Sequence, residues 1–332
     1  MLRIFTLLFS LFYYIHSYGI QGYNINFKNI DNRQGLSQNG ITSIFQDRDG
    51  YMWFGTHYGL NRYDGLNIKS YYAGNSPNQL SDNIISSIVQ DLAGNIWIAT
   101  EQGLTVFNPI TQKFYNLKKY NSKNSLFGQN ILSIKLIDGK VMLTCPNGLW
   151  SINPGRILFT EKNTKSICEN TIHYKINLGK NSESLKFFKK DKNDSYWFTT
   201  NNEVMVGKII RNQLVVIDKI RLEPQTDVKI STFFQDNFSN IWVGTENNGL
   251  FHLKEIKGNY LVTKIFPKNS SSVNFSRIAD IMQDYQNNLI VTSRSDGAIL
   301  IPKEVLKNNS FATTAINFID LQTKKIKSIY QS

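Results

Sequence analysis

Short apolar runs rich in β-branched residues recur along the chain, each closed by a polar turn. Ile41–Gln46 and Ile84–Gln90 read as strands of this kind. Each is followed by Asp-x-x-Gly, a turn in which the carboxylate accepts backbone N–H groups and glycine takes a positive φ. A second strand comes next, Tyr51–Thr56 or Asn95–Thr100, carrying one Trp as a large plate to bury. Gly-Leu opens a third, Gly59–Tyr63 or Gly103–Phe107. Ile68–Tyr72, Lys113–Leu117 and Leu261–Phe266 supply a fourth.

This unit repeats. The first copy holds Asp47, Gly50, Trp53, Thr56 and Gly59-Leu60; the second holds Asp91, Gly94, Trp97, Thr100 and Gly103-Leu104. A third is worn: Asp138, Val141 at the Trp position, Thr144, and Gly148-Leu149 one residue late. The fourth keeps Asp191, Trp197 and Thr200, and the fifth Asp236, Trp242, Thr245 and Gly249-Leu250. A sixth has Asp284, Ile290 in place of Trp, Ser293 and Gly297, and Ile326–Gln331 opens a seventh. Four short strands in about 40–45 residues is the signature of a β-propeller blade. The expectation is an all-β chain, a seven-bladed β-propeller with blades starting near 41, 84, 131, 184, 229, 277 and 326, the seventh incomplete. The Trp is expected in the seam between blades.

Ahead of the repeats, Arg3 precedes an apolar run from Ile4 to Ile15 and a small-residue exit, Ser17-Tyr18-Gly19. This layout reads as a secretory signal over residues 1–19, too short for a comfortable membrane span. The propeller then covers 20–332, with Ile25–Ile30 placed to serve as the outer strand of the last blade and hide an open edge. The chain has 332 residues, 41% apolar and 19% charged, enough to bury a real core. Its net charge of +12 is concentrated in residues 111–228, with 19 Lys/Arg against 10 Asp/Glu, but dispersed through turns. That dispersion suits a solvated surface better than a nucleic-acid stripe. Two cysteines, Cys145 and Cys168, exclude a disulfide scaffold, although they leave one bridge open. The four histidines form no local metal motif, and no cofactor is expected.

The recurring Ile-x-Ser-Ile-x-Gln-Asp-x-x-Gly-x-x-Trp-φ-Gly-Thr-x-x-Gly-Leu (φ apolar) resembles the two-component regulator propeller repeat. The likeness is close at 41–60, 85–104 and 230–250, partial at 131–149, 185–204 and 277–297, and begun at 326–331. It implies the periplasmic input domain of a membrane-spanning sensor, in most members a hybrid histidine kinase. There, two propellers and a β-sandwich precede a membrane helix, kinase, receiver and helix-turn-helix domain, and many members sense oligosaccharides. The resemblance thus implies an exported sensing propeller that recognises an oligosaccharide and signals to a kinase absent from these residues. A full-length parent would be anchored in the inner membrane and pair through its downstream modules. The alternatives are a stand-alone periplasmic binding or scaffold propeller and a glycan-degrading propeller enzyme. No phosphoacceptor His motif or nucleotide-binding glycine run is present, so no kinase activity falls to this chain.

Residues repeated in every blade serve the blade: Asp47, Gly50, Trp53, Asp91, Gly94, Trp97, Asp191, Trp197, Asp236, Trp242 and Asp284 are read as structural. Function is sought where blades differ, between the second and third strands. The candidates are His57, Tyr58, Glu101, Gln102, Asn147, Asn201, Glu246, Asn247, Arg294 and Asp296. With the strand order above, all these loops open on one face and form a crown of amides, carboxylates and a few cations. Such groups suit sugar hydroxyls, and Tyr58 suits a sugar face. The bland alternative is a solvated rim. Catalysis has weaker support. Sialidase-type boxes place the acid two residues before Gly whereas Asp47 stands three before Gly50, and Glu101 and Glu246 belong to different blades. No catalytic residue is assigned.

Overall fold

The computed structural model describes residues 30–120, 125–146, 148–176, 185, 188–191, 193–200, 203–223, 228–256, 258–265, 275–294, 297–308 and 317–319. The expected signal at 1–19, most of Ile25–Ile30 and the start of a seventh blade at 326–331 lie outside them. The strands form successive four-stranded antiparallel units. The first comprises β1 (Ile41–Gln46), β2 (Met52–Thr56), β3 (Gly59–Tyr63) and β4 (Ile68–Tyr71). The second comprises β5 (Ile85–Gln90), β6 (Ile96–Thr100), β7 (Gly103–Asn108) and β8 (Lys113–Asn116). The third is β9 (Ser133–Ile137), β10 (Lys140–Cys145), β11 (Gly148–Ile152) and β12 (Thr171–Ile176). The fourth is β13 (Phe188–Lys190), β14 (Tyr196–Thr199), β15 (Glu203–Ile210) and β16 (Gln213–Arg221). The fifth is β17 (Ile230–Gln235), β18 (Ile241–Thr245), β19 (Leu250–Ile256) and β20 (Asn259–Ile265). The sixth is β21 (Ile278–Gln283), β22 (Leu289–Ser293), β23 (Gly297–Ile301) and β24 (Asn317–Ile319).

First strands lie against first strands: β1 on β5, β5 on β9, β9 on β13, and β17 on β21. These are the innermost strands of a β-propeller, and the apolar clusters fill the seams between its blades. Trp53 packs with Leu80, Ile85 and Ile88 of the second blade; Trp97 packs with Ile131, Ile134 and Val141 of the third. Trp242 packs with Ile278, Ile281 and Val291 of the sixth.

Each full Asp turn is tied to its Trp by one carboxylate. Asp91 Oδ1 accepts the backbone N–H groups of Ala93 (2.9 Å) and Asn95 (3.0 Å). Its Oδ2 accepts Trp97 Nε1–H at 2.8 Å and Asn95 Nδ2–H at 2.8 Å. The same indole bond joins Trp53 to Asp47 (2.7 Å), Trp197 to Asp191 (2.9 Å) and Trp242 to Asp236 (3.0 Å). A buried indole N–H needs an acceptor, and this one is charged and held by the turn. In the sixth copy, where Ile290 replaces Trp, Asp284 binds the backbone and side chain of Asn288 instead.

The turn's left-handed position is filled by Gly50 (φ +88°) and Gly94 (φ +99°) in the first two blades. In the next Asp-x-x turns it is filled by Asp194 (φ +61°), Ser239 (φ +68°) and Asn287 (φ +68°). Asn and Asp tolerate this region better than serine does. Ser239→Gly should therefore raise stability by roughly 0.5–1 kcal/mol, since relief of Cβ strain exceeds the added chain entropy of glycine. A higher urea midpoint with an unchanged slope is the expected reading.

The third blade departs from expectation. Asp138 (φ +50°) and Gly139 (φ +73°) make a two-residue turn, so Ile137 pairs with Lys140 and the five-residue Asp turn is absent. Cys145 pairs with Gly148 as Thr56 pairs with Gly59. Counting back from that shared loop puts Met142, not Val141, at the Trp position. Met142 accordingly packs towards the fourth blade with Phe198 and Met205, while Val141 faces the second. Blades three and four are also fused at their outer edges. The end of β12 pairs in parallel with β16 (Lys175 with Gln213, Ile176 with Leu214), giving one eight-stranded sheet. Cys145 and Cys168 are both buried free thiols in one core cluster, their pKa values pushed up to about 12 by loss of hydration.

Candidate functional site

The loops between second and third strands are built by the Thr that ends the second strand. Thr56 Oγ1 donates to Gly59 O (2.9 Å) and accepts from Tyr58 N–H (2.9 Å). Thr100 repeats this with Gly103 O (2.9 Å) and Gln102 N–H (3.3 Å), and Thr245 with Gly249 O (2.8 Å) and Asn248 N–H (2.9 Å). The next residue is then stapled to the entry of its own blade's innermost strand. Glu101 N–H donates to Ile84 O (3.2 Å), Glu246 N–H to Lys229 O (2.8 Å) and Arg294 N–H to Arg277 O (2.8 Å). A second staple reaches the next blade, from Gly59 N–H to Asn83 O (2.7 Å) and from Gly249 N–H to Ser276 O (2.9 Å).

These bonds give Glu101, Glu246 and Arg294 one equivalent place, at the end of the innermost strands opposite the Asp turns. His57, Tyr58, Glu101, Gln102, Glu246, Asn247 and Arg294 are all exposed there. Asn147, Asn201 and Asp296 lie outside the described residues. The backbone is fixed and the side chains are left free, an arrangement suited to recognition by a rigid scaffold.

One partner was not visible in the repeat. Tyr72, just past β4, brings its ring to 5.7 Å from that of Tyr58, with planes 57° apart, and both residues are exposed, Tyr58 to 58% and Tyr72 to 45%. Gly59 makes room for it: a Cβ there would stand 3.0 Å from the Tyr72 ring and 2.7 Å from Tyr71 O. The result is a two-ring aromatic platform beside His57. The other described histidines serve packing. His252 is buried against Trp242 with a bond to Asn240 (3.2 Å), and burial lowers its pKa to about 4. His173 stacks on Trp150 at 4.1 Å. No group of three or more His, Cys, Asp or Glu among the described residues is arranged to hold a metal ion. No helix among them is long and apolar enough to cross a membrane.

Residues 35–58 match the family described as two component regulator propeller. Over 51 residues the chain is 43% identical to histidine kinase P4 of Formosa agariphila, a stretch that is 15% of this chain and 4% of that kinase. The fold is similar to the extracellular domain of a hybrid two component system of B. thetaiotaomicron (TM-score 0.66, 21% identity), covering 92% of this chain and 39% of that one. It is also similar to the extracellular domain of a one component system of the same organism (TM-score 0.61, 16% identity), covering 90% and 38%. A streptogramin B lyase shares the fold at TM-score 0.60 and 14% identity, covering 88% of this chain and 87% of the lyase. This chain thus spans well under half of the sensor domains it resembles. The fold is thus that of a β-propeller, and over residues 35–58 the chain is similar to the two component regulator propeller family.

Proposed function

We propose that this chain is the ligand-sensing propeller of an extracytoplasmic receptor that recognises an oligosaccharide on its crown face. The observation that carries this reading is the exposed Tyr58–Tyr72 platform on a loop whose backbone is locked by Thr56 and stapled to the next blade. Flat rings match the apolar face of a sugar, while the neighbouring carboxylates, amides and Arg294 match its hydroxyls. Occupancy would shift how the propeller docks on modules outside this chain, a second propeller, a β-sandwich and a histidine kinase, and the population shift would cross the membrane. In this reading the chain itself performs no catalysis.

Calorimetry of the chain against a panel of oligosaccharides tests this. One class should bind saturably, and Tyr58→Ala should weaken it about tenfold, the loss of one aromatic contact worth about 1.4 kcal/mol. Sugar recovered intact supports sensing. Shortened products in the same tubes, or binding indifferent to Tyr58→Ala and Tyr72→Ala, would overturn it.

A further inference from the structure

At the Asp-turn end of the innermost strands, opposite the crown, β9, β13 and β17 border a cavity of about 640 Å³. Its cations are Lys135, Lys189 and Lys190. Two of them stand at one position of the repeat: Lys135 pairs with Met142, and Lys189 with Trp197. The other blades carry Phe45, Val89, Phe234 and Met282 there, all apolar. Phe45, Val89 and Phe234 pack against the seam clusters. Two adjacent blades therefore replace a seam-filling side chain with an ammonium, and the cavity opens beside them.

The carboxylates that line the cavity, Asp138, Asp191 and Asp194, are engaged by other groups. Asp138, freed by the short turn of the third blade, bonds Lys190, which also holds Asp194 at 2.7 Å. Asp191 is committed to its own turn and to Trp197. Lys189 donates to the backbone oxygen of Gln235 (3.0 Å), with the Phe234 ring beneath it at 5.7 Å. Water reaches Lys135 through the cavity, yet protein surrounds it closely enough that lost hydration lowers its pKa, with Asp280 opposing. Lys189 is lowered by lost hydration and then by Lys135 itself, against a weaker pull from Asp236. Lys135 is exposed to the cavity and Lys189 half-buried beside it, and two like charges facing one cavity repel each other, a cost that an anion between them removes.

We propose that this cavity is a second ligand site, which takes an oxyanion, the carboxylate or sulfate of a small ligand, between Lys135 and Lys189. Phe233 and Phe234 supply an apolar wall for the rest of the ligand. The site stands on its own residues and is independent of the oligosaccharide reading of the crown.

The test titrates the whole chain with sodium glucuronate, sodium sulfate and glucose at constant ionic strength, followed by calorimetry and thermal unfolding. At least one of the two anions should bind saturably and raise the melting temperature, and glucose should not. Response to glucuronate alone identifies a ligand-borne carboxylate; response to sulfate identifies a free or ligand-borne sulfate. Lys135→Gln and Lys189→Gln should each weaken binding tenfold or more, while Lys307→Gln leaves it unchanged. Without anion, Lys135→Gln should melt at the same temperature as the parent or higher, which separates a lost site from a damaged fold. Absence of saturable binding by both anions, or binding indifferent to both lysine variants, would overturn the proposal.

Discussion

Asp236→Ala should destabilise the chain by roughly 3–5 kcal/mol, read as a fall in the urea midpoint. The buried carboxylate accepts four bonds: Phe238 N–H and Asn240 N–H (both 2.9 Å), Asn240 Nδ2–H (2.8 Å) and Trp242 Nε1–H (3.0 Å). Removing it strands several buried donors, and each buried donor left unmade costs about 1–3 kcal/mol. The copies supply internal controls. Asp284 accepts only from Asn288 in the bonds seen and has no indole to satisfy, so Asp284→Ala should cost about 1–2 kcal/mol. Asp138 lies on an exposed two-residue turn, and Asp138→Ala should fall within about 1 kcal/mol of the parent. Equal losses at all three positions would mean that the turn, and not the Asp–Trp bond, is what the acid supports.

The blade plan was legible because one strong spacing recurs. Asp and Trp six residues apart mark a turn and a facing strand, and Gly-Leu marks the third strand. Their hydrogen bond was not legible, since it exists only after Gln46 pairs with Met52 and brings Trp53 across from Phe45. The third copy misled for a related reason. Taking Thr144 as the closing Thr gives Val141 as the Trp position and leaves Gly148 one residue late, whereas taking Gly148 as the fixed point puts Cys145 at the Thr place and moves the Trp position to Met142. The crown loops could be placed by counting from Gly59 and Gly103, because the Thr bonds are local. Tyr72 escaped because the pattern reads it as the last residue of the fourth strand, whereas β4 ends at Tyr71 and the Tyr72 ring lies against Tyr58.

The lysine cavity was written in the sequence and hidden by the choice of where to compare blades. The loops were searched for differences, whereas the departure at Lys135 and Lys189 lies inside the innermost strands. There, a cation replacing Phe or Val is chemically louder than a polar residue on a rim. Finding it also required the corrected register of the third blade, without which Lys135 and Lys189 do not align. The fusion of β12 with β16 had no signal of its own. It follows from Leu214 entering the same apolar cluster as Tyr174 and Phe198, which draws the two outer strands together.

Gly244→Ala should cost about 3 kcal/mol or more, for steric reasons alone. A Cβ at this position would stand 2.5 Å from Ile278 Cγ2 and 2.6 Å from Thr232 Cγ2, and no rotation of the methyl relieves contact with both. Ile278 is fully buried and begins the innermost strand of the next blade, so the strain falls on the seam between blades five and six. Gly55 meets Ile85 in the same way at 2.7 Å. The second blade instead carries Ala99 at the matching place, where alanine is the native residue. Ala99→Gly should accordingly lose only about 0.5–1 kcal/mol, the ordinary cost of glycine in a strand. Chemical denaturation followed by Trp242 fluorescence checks the first substitution at the affected seam, because the indole shares a cluster with Ile278. A loss for Gly244→Ala no larger than that for Ala99→Gly would show that the blades slide apart freely. In that case the seam would be too soft to carry a signal from the crown to anything docked on the far side.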